Sequence, residues 1–526
     1  MTRSFTVASL IVCMVMTFGA CRDSSTPAID LQLTVDSLEH KLAWLNRRLS
    51  EESWTLLTEG QSDSLAFYQT LLDQVLGCRE TFEHLKAGLG TGDDPELERK
   101  LSLLLPRLLM AQVEQDLQVR LTRDSIVAFL MSPLTEFDGQ PRDRSFIARR
   151  MFYDNDRTRR ELAYRALSAA GDHTAQPMAR LFRVRNQLAG KLGYNNFFAM
   201  TLNESGFPVE AFRSLVDTLN KLTAGPYAEV TDRIRQKYAT AEIEIWDLPH
   251  EYSSSDVALD RLFPADSQMR FLERAFSGIG FQLDALPVYF FQRAAEMTDA
   301  GSAALVINAP IDQRVVVAAA DGFQSTVNLA EQIGAAVAAA FVYEQTTMYT
   351  SMRDQVWLRG LEQIFSRMMK SDHFLSVYAG VPAALVDLYL TNAKQRRIIE
   401  LRLTLLRLQF EYQAYSNPDR DLNRLYWDLF EEYMLLPRHD ELMPWATTPE
   451  YAVEPAQSHT FLLGDVISAQ TFAYLERVSG SILDNPETKA FLVQNYFRFG
   501  SRFYWQDLLE RGTGEPLNAQ YFIKGM

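Results

Sequence analysis

Cysteine is nearly absent from this chain. The 526 residues contain only Cys13, Cys21 and Cys78, which excludes a disulfide scaffold. Histidine is scarce too. The closest two of the seven, His439 and His459, stand 20 positions apart, so no helix can turn an i, i+4 pair of imidazoles toward one metal. There is no G-x-S-x-G elbow, no phosphate-binding G-x-x-x-x-G-K-[ST] loop and no C-x-x-C pair. Basic excess is also missing. Lys and Arg number 52 against 67 Asp and Glu, a net charge of −15, which argues against nucleic acid or anionic lipid as the main partner. Past the N-terminus, no uncharged apolar run is long enough to span a bilayer. What remains is an ordinary globular balance, 47% apolar and 23% charged, with ample material for a core.

The N-terminus reads as an address. Met1–Arg3 give a short basic start, Phe5–Phe18 an uncharged apolar run, and Phe18-Gly19-Ala20-Cys21 a small-residue close before a cysteine. The segment resembles a bacterial lipoprotein signal. That resemblance implies cleavage before Cys21, acylation of its thiol and new amino group (palmitate-type chains), and a lipid-anchored protein of the cell envelope. Asp23 at the third mature position implies the outer membrane. Residues 1–20 are then the signal peptide and residues 21–29, with Ser24-Ser25-Thr26-Pro27, a polar tether. Cys78 is left as a lone thiol, expected to be buried and inert.

The body is expected to be mainly α. Apolar residues recur at three and four, as in Leu38, Leu42, Leu45 and Leu49, then Leu101, Leu104, Leu105, Leu108 and Leu109. Gly88–Pro95 is a linker between helices. The period continues from Glu161 to Val478, broken near 303–319. There Ala304–Ile307 and Arg314–Val317 are β-rich runs separated by Pro310 and Asp312, a small β patch. Residues 30–149 form an N-terminal helical region and residues 150–526 the main helical body.

Within that body, Arg185-Asn186-Gln187-Leu188-Ala189 followed by Leu192-Gly193-Tyr194-Asn195-Asn196-Phe197 resembles an R-N-x-x-A…L-G-Y-x-N-[FY] helix. That helix belongs to the angiotensin-converting-enzyme-like and oligopeptidase-like zinc metallopeptidases, the gluzincin group. Ile245-Trp246-Asp247-Leu248 is similar to their P-W-D segment, Phe276–Phe281 to their F-x-G-L-G-[FI] turn, and Asp312-Gln313-Arg314-Val315 to the D-x-R-V strand before their zinc helix. The markers stand in the family's order across roughly residues 150–500. The resemblance implies a two-lobed helical fold around a deep substrate cleft, and peptide hydrolysis as the ancestral chemistry.

The family's H-E-x-G-H-A sets two imidazoles one turn apart on a zinc ion and a carboxylate beside its water. Here the aligned residues are Glu331-Gln332-Ile333-Gly334-Ala335-Ala336. The third ligand, 24 residues beyond the second histidine in the angiotensin-converting-enzyme-like group, falls on Arg359, a guanidinium that stays protonated and cannot ligate. Gln332 cannot take a proton near neutral pH. The family's late histidine and tyrosine align with Tyr451 and Phe461, the latter without a hydroxyl for an oxyanion; His459 lies close by. The resemblance with these losses implies a metal-free, non-catalytic homologue anchored to the envelope, with no zinc and no other cofactor. It implies an old cleft lined by Glu331, Gln332, Arg359 and His459, and peptide or an envelope protein as partner beside the membrane. Two other readings stand beside it: an active peptidase with non-standard ligands, and a structural envelope lipoprotein. Glu331 and Arg359 are expected to form an ion pair across facing helices, because either charge buried alone is costly.

Overall fold

The computed structural model describes residues 31–90, 94–132, 134–238, 240, 242–294, 301–343, 345–352 and 354–524. The expected signal peptide, Cys21 and the tether lie outside the described residues. The chain is mainly helical with two small sheets, as the apolar period predicts. Among the described residues no helix is long and apolar enough to cross a membrane.

The helices that position the site are α1 (Leu31–Glu59), α2 (Pro95–Glu114), α3 (Gly171–Lys191), α4 (Phe323–Ala340), α5 (Thr347–Ser351), α6 (Gln355–Met369), α7 (Ala383–Ser416) and α8 (Ser458–Ser479). In α1 the stripe Val35, Leu38, Leu42 and Leu45 is buried. In α2 Leu101, Leu104, Leu105, Leu108 and Leu109 are buried, which is the periodic face seen in the sequence. Aspartates start many of the helices. Asp94, Asp116, Asp143, Asp156, Asp354 and Asp421 each accept a backbone N–H of the first turn, an arrangement that typically stabilises a helix by about 1 kcal/mol.

Charged side chains fasten segments that are distant in sequence. Lys100 of α2 bridges Glu39 of α1 at 2.8 Å, and Glu39 also accepts the Met348 N–H of α5. Arg99 donates to the carbonyls of Ser501 and Phe503. Arg185 of α3, fully buried, pairs with Glu114 at the end of α2 and donates to the Tyr451 and Ala452 carbonyls.

Strands β1 (Leu134–Phe137) and β2 (Gln140–Asp143) form an antiparallel hairpin, and β3 (Val288–Gln292), β4 (Ala303–Asn308) and β5 (Asp312–Val317) form a sheet in the order β3-β5-β4. β5 runs parallel to β3 and antiparallel to β4, so β4 is an edge. The patch expected near 303–319 is thus β4 and β5. The first hairpin adds two short strands to the helical region at residues 30–149: Asp138 and Gly139 both have positive φ (57° and 70°), the two-residue turn that suits strand twist. Cys78 departs from expectation. It is only part-buried, at a helix start, and its sulfur accepts the Thr81 hydroxyl.

From Ile333 onward helix α4 carries no polar side chain, and every residue to Ala340 is buried. Glycines let its neighbours come close. A Cβ on Gly334 would lie 2.1 Å from the Phe365 ring of α6, and one on Gly360 would lie 2.9 Å from Ile467 of α8. One on Gly464 would lie 2.7 Å from Arg359 Cβ and 2.9 Å from the α6 backbone. Backbone cannot yield as a flexible side chain does, so Gly464→Ala is expected to push α6 from α8 and cost about 1–3 kcal/mol. Gly190→Ala in α3, with nothing within 4 Å of the added carbon, is expected to stabilise by about 0.5 kcal/mol. Urea unfolding of the two variants checks this, and equal effects would refute the close-contact account.

Candidate functional site

The candidate site forms where α4 packs between α6, itself against α8, and β4. Gln332 of α4 reaches the sheet edge, and its side-chain oxygen accepts the Ala304 N–H at 2.9 Å. The Ala304 donor therefore points away from β5. Side chains and outward main-chain groups repeat every two residues in an antiparallel strand, so Val306 offers its N–H and C=O to the same free edge.

Glu331, the preceding residue, is part-buried. Desolvation raises its pKa; Ser366 and Lys370 oppose the rise, while Glu362 and Asp465 add to it. The ion pair expected between Glu331 and Arg359 does not form. Arg359 instead pairs with Glu362 at 3.0 Å, and its guanidinium lies 4.2 Å from the centre of the Phe461 ring, a cation–π contact. The reason is register. Residues 359, 362 and 366 share one stripe of α6, but Glu331 stands level with Ser366, two turns and about 10 Å along the axis from Arg359 at 1.5 Å per residue. Glu362 is the acidic residue between them. Counting 24 positions from Ala335 stops three residues short of it, although it is the only carboxylate on that stripe.

Asp465 of α8 completes the polar group. Arg367 donates to the Ser468 hydroxyl and the Asp465 carbonyl, tying α6 to α8. Burial raises the Asp465 carboxyl, with Arg397 and Lys370 opposing, yet its side chain keeps 41% of its exposure. A group crowded by protein that still meets water sits in a concavity rather than in a dry core. Glu400 of α7 is raised for the same first reason, with Arg396 and Lys370 opposing.

The structure brings Arg359 and Phe461 together, but not the other two late residues. Tyr451 is 1% exposed and its hydroxyl donates to the Arg407 carbonyl. His459, expected to line a cleft, is also 1% exposed and belongs to the core. Its Nδ1–H donates to the Ala456 carbonyl at 2.8 Å, leaving Nε2 to accept the Ser205 hydroxyl at 2.9 Å. Burial pushes its pKa down to about 4, so it is neutral near pH 7. Zinc does not fit the aligned positions: a carboxylate, a methyl group and a guanidinium that is already paired offer one ligand. Among the described residues, no group of three or more His, Cys, Asp or Glu is arranged to hold a metal ion.

The motif residues have structural work. Asn186 donates to the Tyr415 carbonyl and accepts the Phe197 N–H. Asp247, fully buried, binds Arg157 and Arg160 and accepts the Glu244 N–H. Gly280 takes a φ of +97°, where a side chain would strain the backbone.

Two cavities adjoin this region. One, of about 60 Å³, is lined by apolar groups including Ala335, Ala338, Trp357, Leu361 and Tyr496, so Ala335 faces carbon rather than ligand atoms. The other, of about 550 Å³, lies between α1, β4 and α5 and includes Trp44, Arg107, Val306, Ser351 and Gln355 in its walls. No protein-family model matches the chain, and no curated protein matches it. The metallopeptidase resemblance therefore rests on the order of this chain's own motifs.

Two buried groups predict opposite pH responses. The Glu411 carboxyl, fully buried, is raised from 4.5 to about 8, first by desolvation. Between those pH values the folded state holds a proton that the unfolded state has released, so stability falls by about 1.4 kcal/mol per pH unit as pH rises. Glu411→Gln is expected to gain on the wild type from pH 5.5 to 7.5 in urea unfolding. His459 works the other way: the unfolded state takes a proton below about pH 6.5 that the fold refuses until about 4, so stability is lost as pH falls through that window. The advantage of wild type over His459→Gln is expected to shrink from pH 7 to 5. Differences independent of pH would contradict both assignments.

Proposed function

We propose that this protein binds an extended peptide along the free edge of β4 and does not hydrolyse it. The body is a two-lobed metallopeptidase-like fold whose substrate cleft persists as a binding groove. Lipidated on Cys21, the protein is held at the bacterial envelope, and its ligand is an envelope peptide or an exposed segment of an envelope protein.

One observation carries this reading: β4 is a terminal strand, paired to β5 alone, and it lines the 550 Å³ cavity. An extended chain satisfies such an edge with main-chain hydrogen bonds, independent of sequence, while pockets select alternate side chains. A cavity of this size lies in the ordinary range for ligand sites. The inability to hydrolyse follows from the residues at α4 and α6. Gln332, in the general-base position, has no basic atom and holds the Ala304 N–H. Ala335 supplies no electron pair, and Arg359 is occupied by Glu362 and Phe461. Those changes remove base and metal while leaving the strand edge intact.

Val306→Pro tests the reading. Val306 lies opposite Gln313 at a position whose N–H faces outward, so proline removes an edge donor without breaking the β4–β5 ladder. Binding to a random peptide library is expected to weaken about tenfold, near the loss of one good hydrogen bond, with an unchanged melting temperature. Bound peptides are expected to be recovered intact, and the purified protein to contain no stoichiometric zinc. Cleaved peptides with one equivalent of zinc, or library binding indifferent to Val306→Pro, would overturn the proposal.

A further inference from the structure

We infer that Arg107 makes the cavity beside β4 a receptor for a carboxylate on the bound peptide. The inference rests on the peptide-binding reading and adds the chemistry of the ligand. Arg107 projects from α2 into the cavity wall. Several buried arginines elsewhere collect partners: Arg185 binds Glu114 and two carbonyls, Arg160 binds Asp247, and Arg402 binds the Tyr433 carbonyl and Thr223. Arg107 differs. It is part-buried, and among the described residues it has no hydrogen bond or ion pair; desolvation lowers its pKa. A guanidinium remains charged even so, and its charge faces the cavity without a protein counter-charge.

The rest of the wall has the same bias. No aspartate or glutamate lines the cavity, although the chain carries a net charge of −15. Its other charged residue, Arg47, is held by Glu51 at 3.0 Å. The Ser351 hydroxyl is buried at the wall without a partner, a donor placed for an incoming oxygen. The guanidinium fork matches a carboxylate with two parallel hydrogen bonds. Arg107 and Ser351 line the same cavity and offer their donors to an anionic group there, while the main chain of Val306, in the same wall, pairs with the peptide that carries it. The carboxylate comes from a peptide C-terminus or from an aspartate or glutamate side chain.

Three versions of one library-selected peptide separate these sources: free acid, C-terminal amide, and Asp/Glu replaced by Asn/Gln. One neutralised version is expected to bind the wild type at least about tenfold more weakly than its parent, and which one identifies the carboxylate. Arg107→Gln is expected to erase that difference, with Arg107→Lys restoring part of it. Without peptide, Arg107→Gln is expected to melt at or above the wild-type temperature, because it removes an unpaired charge. Equal binding of all three versions, or an undiminished preference in Arg107→Gln, refutes the inference and leaves peptide binding standing. A lowered melting temperature for Arg107→Gln also refutes it, by showing a structural partner. Failure of every peptide to bind the wild type refutes both.

Discussion

The approach of α8 to the backbone of α6 at Gly464 governs the rest of the site. Two helices this close cannot slide or separate without exposing apolar surface on both, and a third, α4, is locked to them through Gly334 and Phe365. The consequences run outward from there. Arg359 is pressed beside Gly464 and turns its guanidinium onto Phe461. The polar end of α4 is held at the sheet, where Gln332 reaches Ala304. Small residues in α4 let its neighbours come close, and at Ala335 they leave only a methyl group in a mostly apolar cavity wall.

Much of this architecture was legible in the sequence. The three- and four-residue apolar period located α1 and α2, and the Val/Ile-rich runs on either side of Pro310 located β4 and β5. The hairpin at 134–143 carried its signal as well, an Asp-Gly pair between short runs, but four-residue strands are too brief for periodicity to register against long helical neighbours. Strand β3 escaped because Val288–Gln292 alternates over only five residues and pairs with a strand more than 20 positions later. Local pattern does not encode such pairing. At the site, the order of motifs selected Glu331, Gln332, Arg359 and Phe461, and the last two do meet. Helix register was invisible to counting, so Glu362 was passed over and Arg359 was assigned the wrong partner. Burial was equally hidden: His459 lies on the inner face of α8, and nothing in its neighbours in sequence distinguishes that face from the outer one.

Charge is used in two ways. In the core, arginines act as clasps whose five donors collect carbonyls and a carboxylate from several segments, which a lysine could not do. Arg185 is the clearest case, joining α3, α2 and the chain at 451–452. Around the concavity of Glu331, Asp465 and Glu400 the charges are crowded but wetted, and their carboxyls rise because desolvation outweighs the nearby cations. Arg107 belongs to neither class. In an acidic chain its guanidinium lines a cavity whose wall holds no aspartate or glutamate.

The account stands on the free edge of β4 as the surface that receives a peptide. Amide hydrogen exchange at Val306, measured with and without saturating peptide, reads that edge directly. The account predicts strong slowing of exchange at Val306 on binding, with the Ala304 amide, already held by Gln332, changing little. Peptide bound at saturation with Val306 exchange unaltered would contradict it.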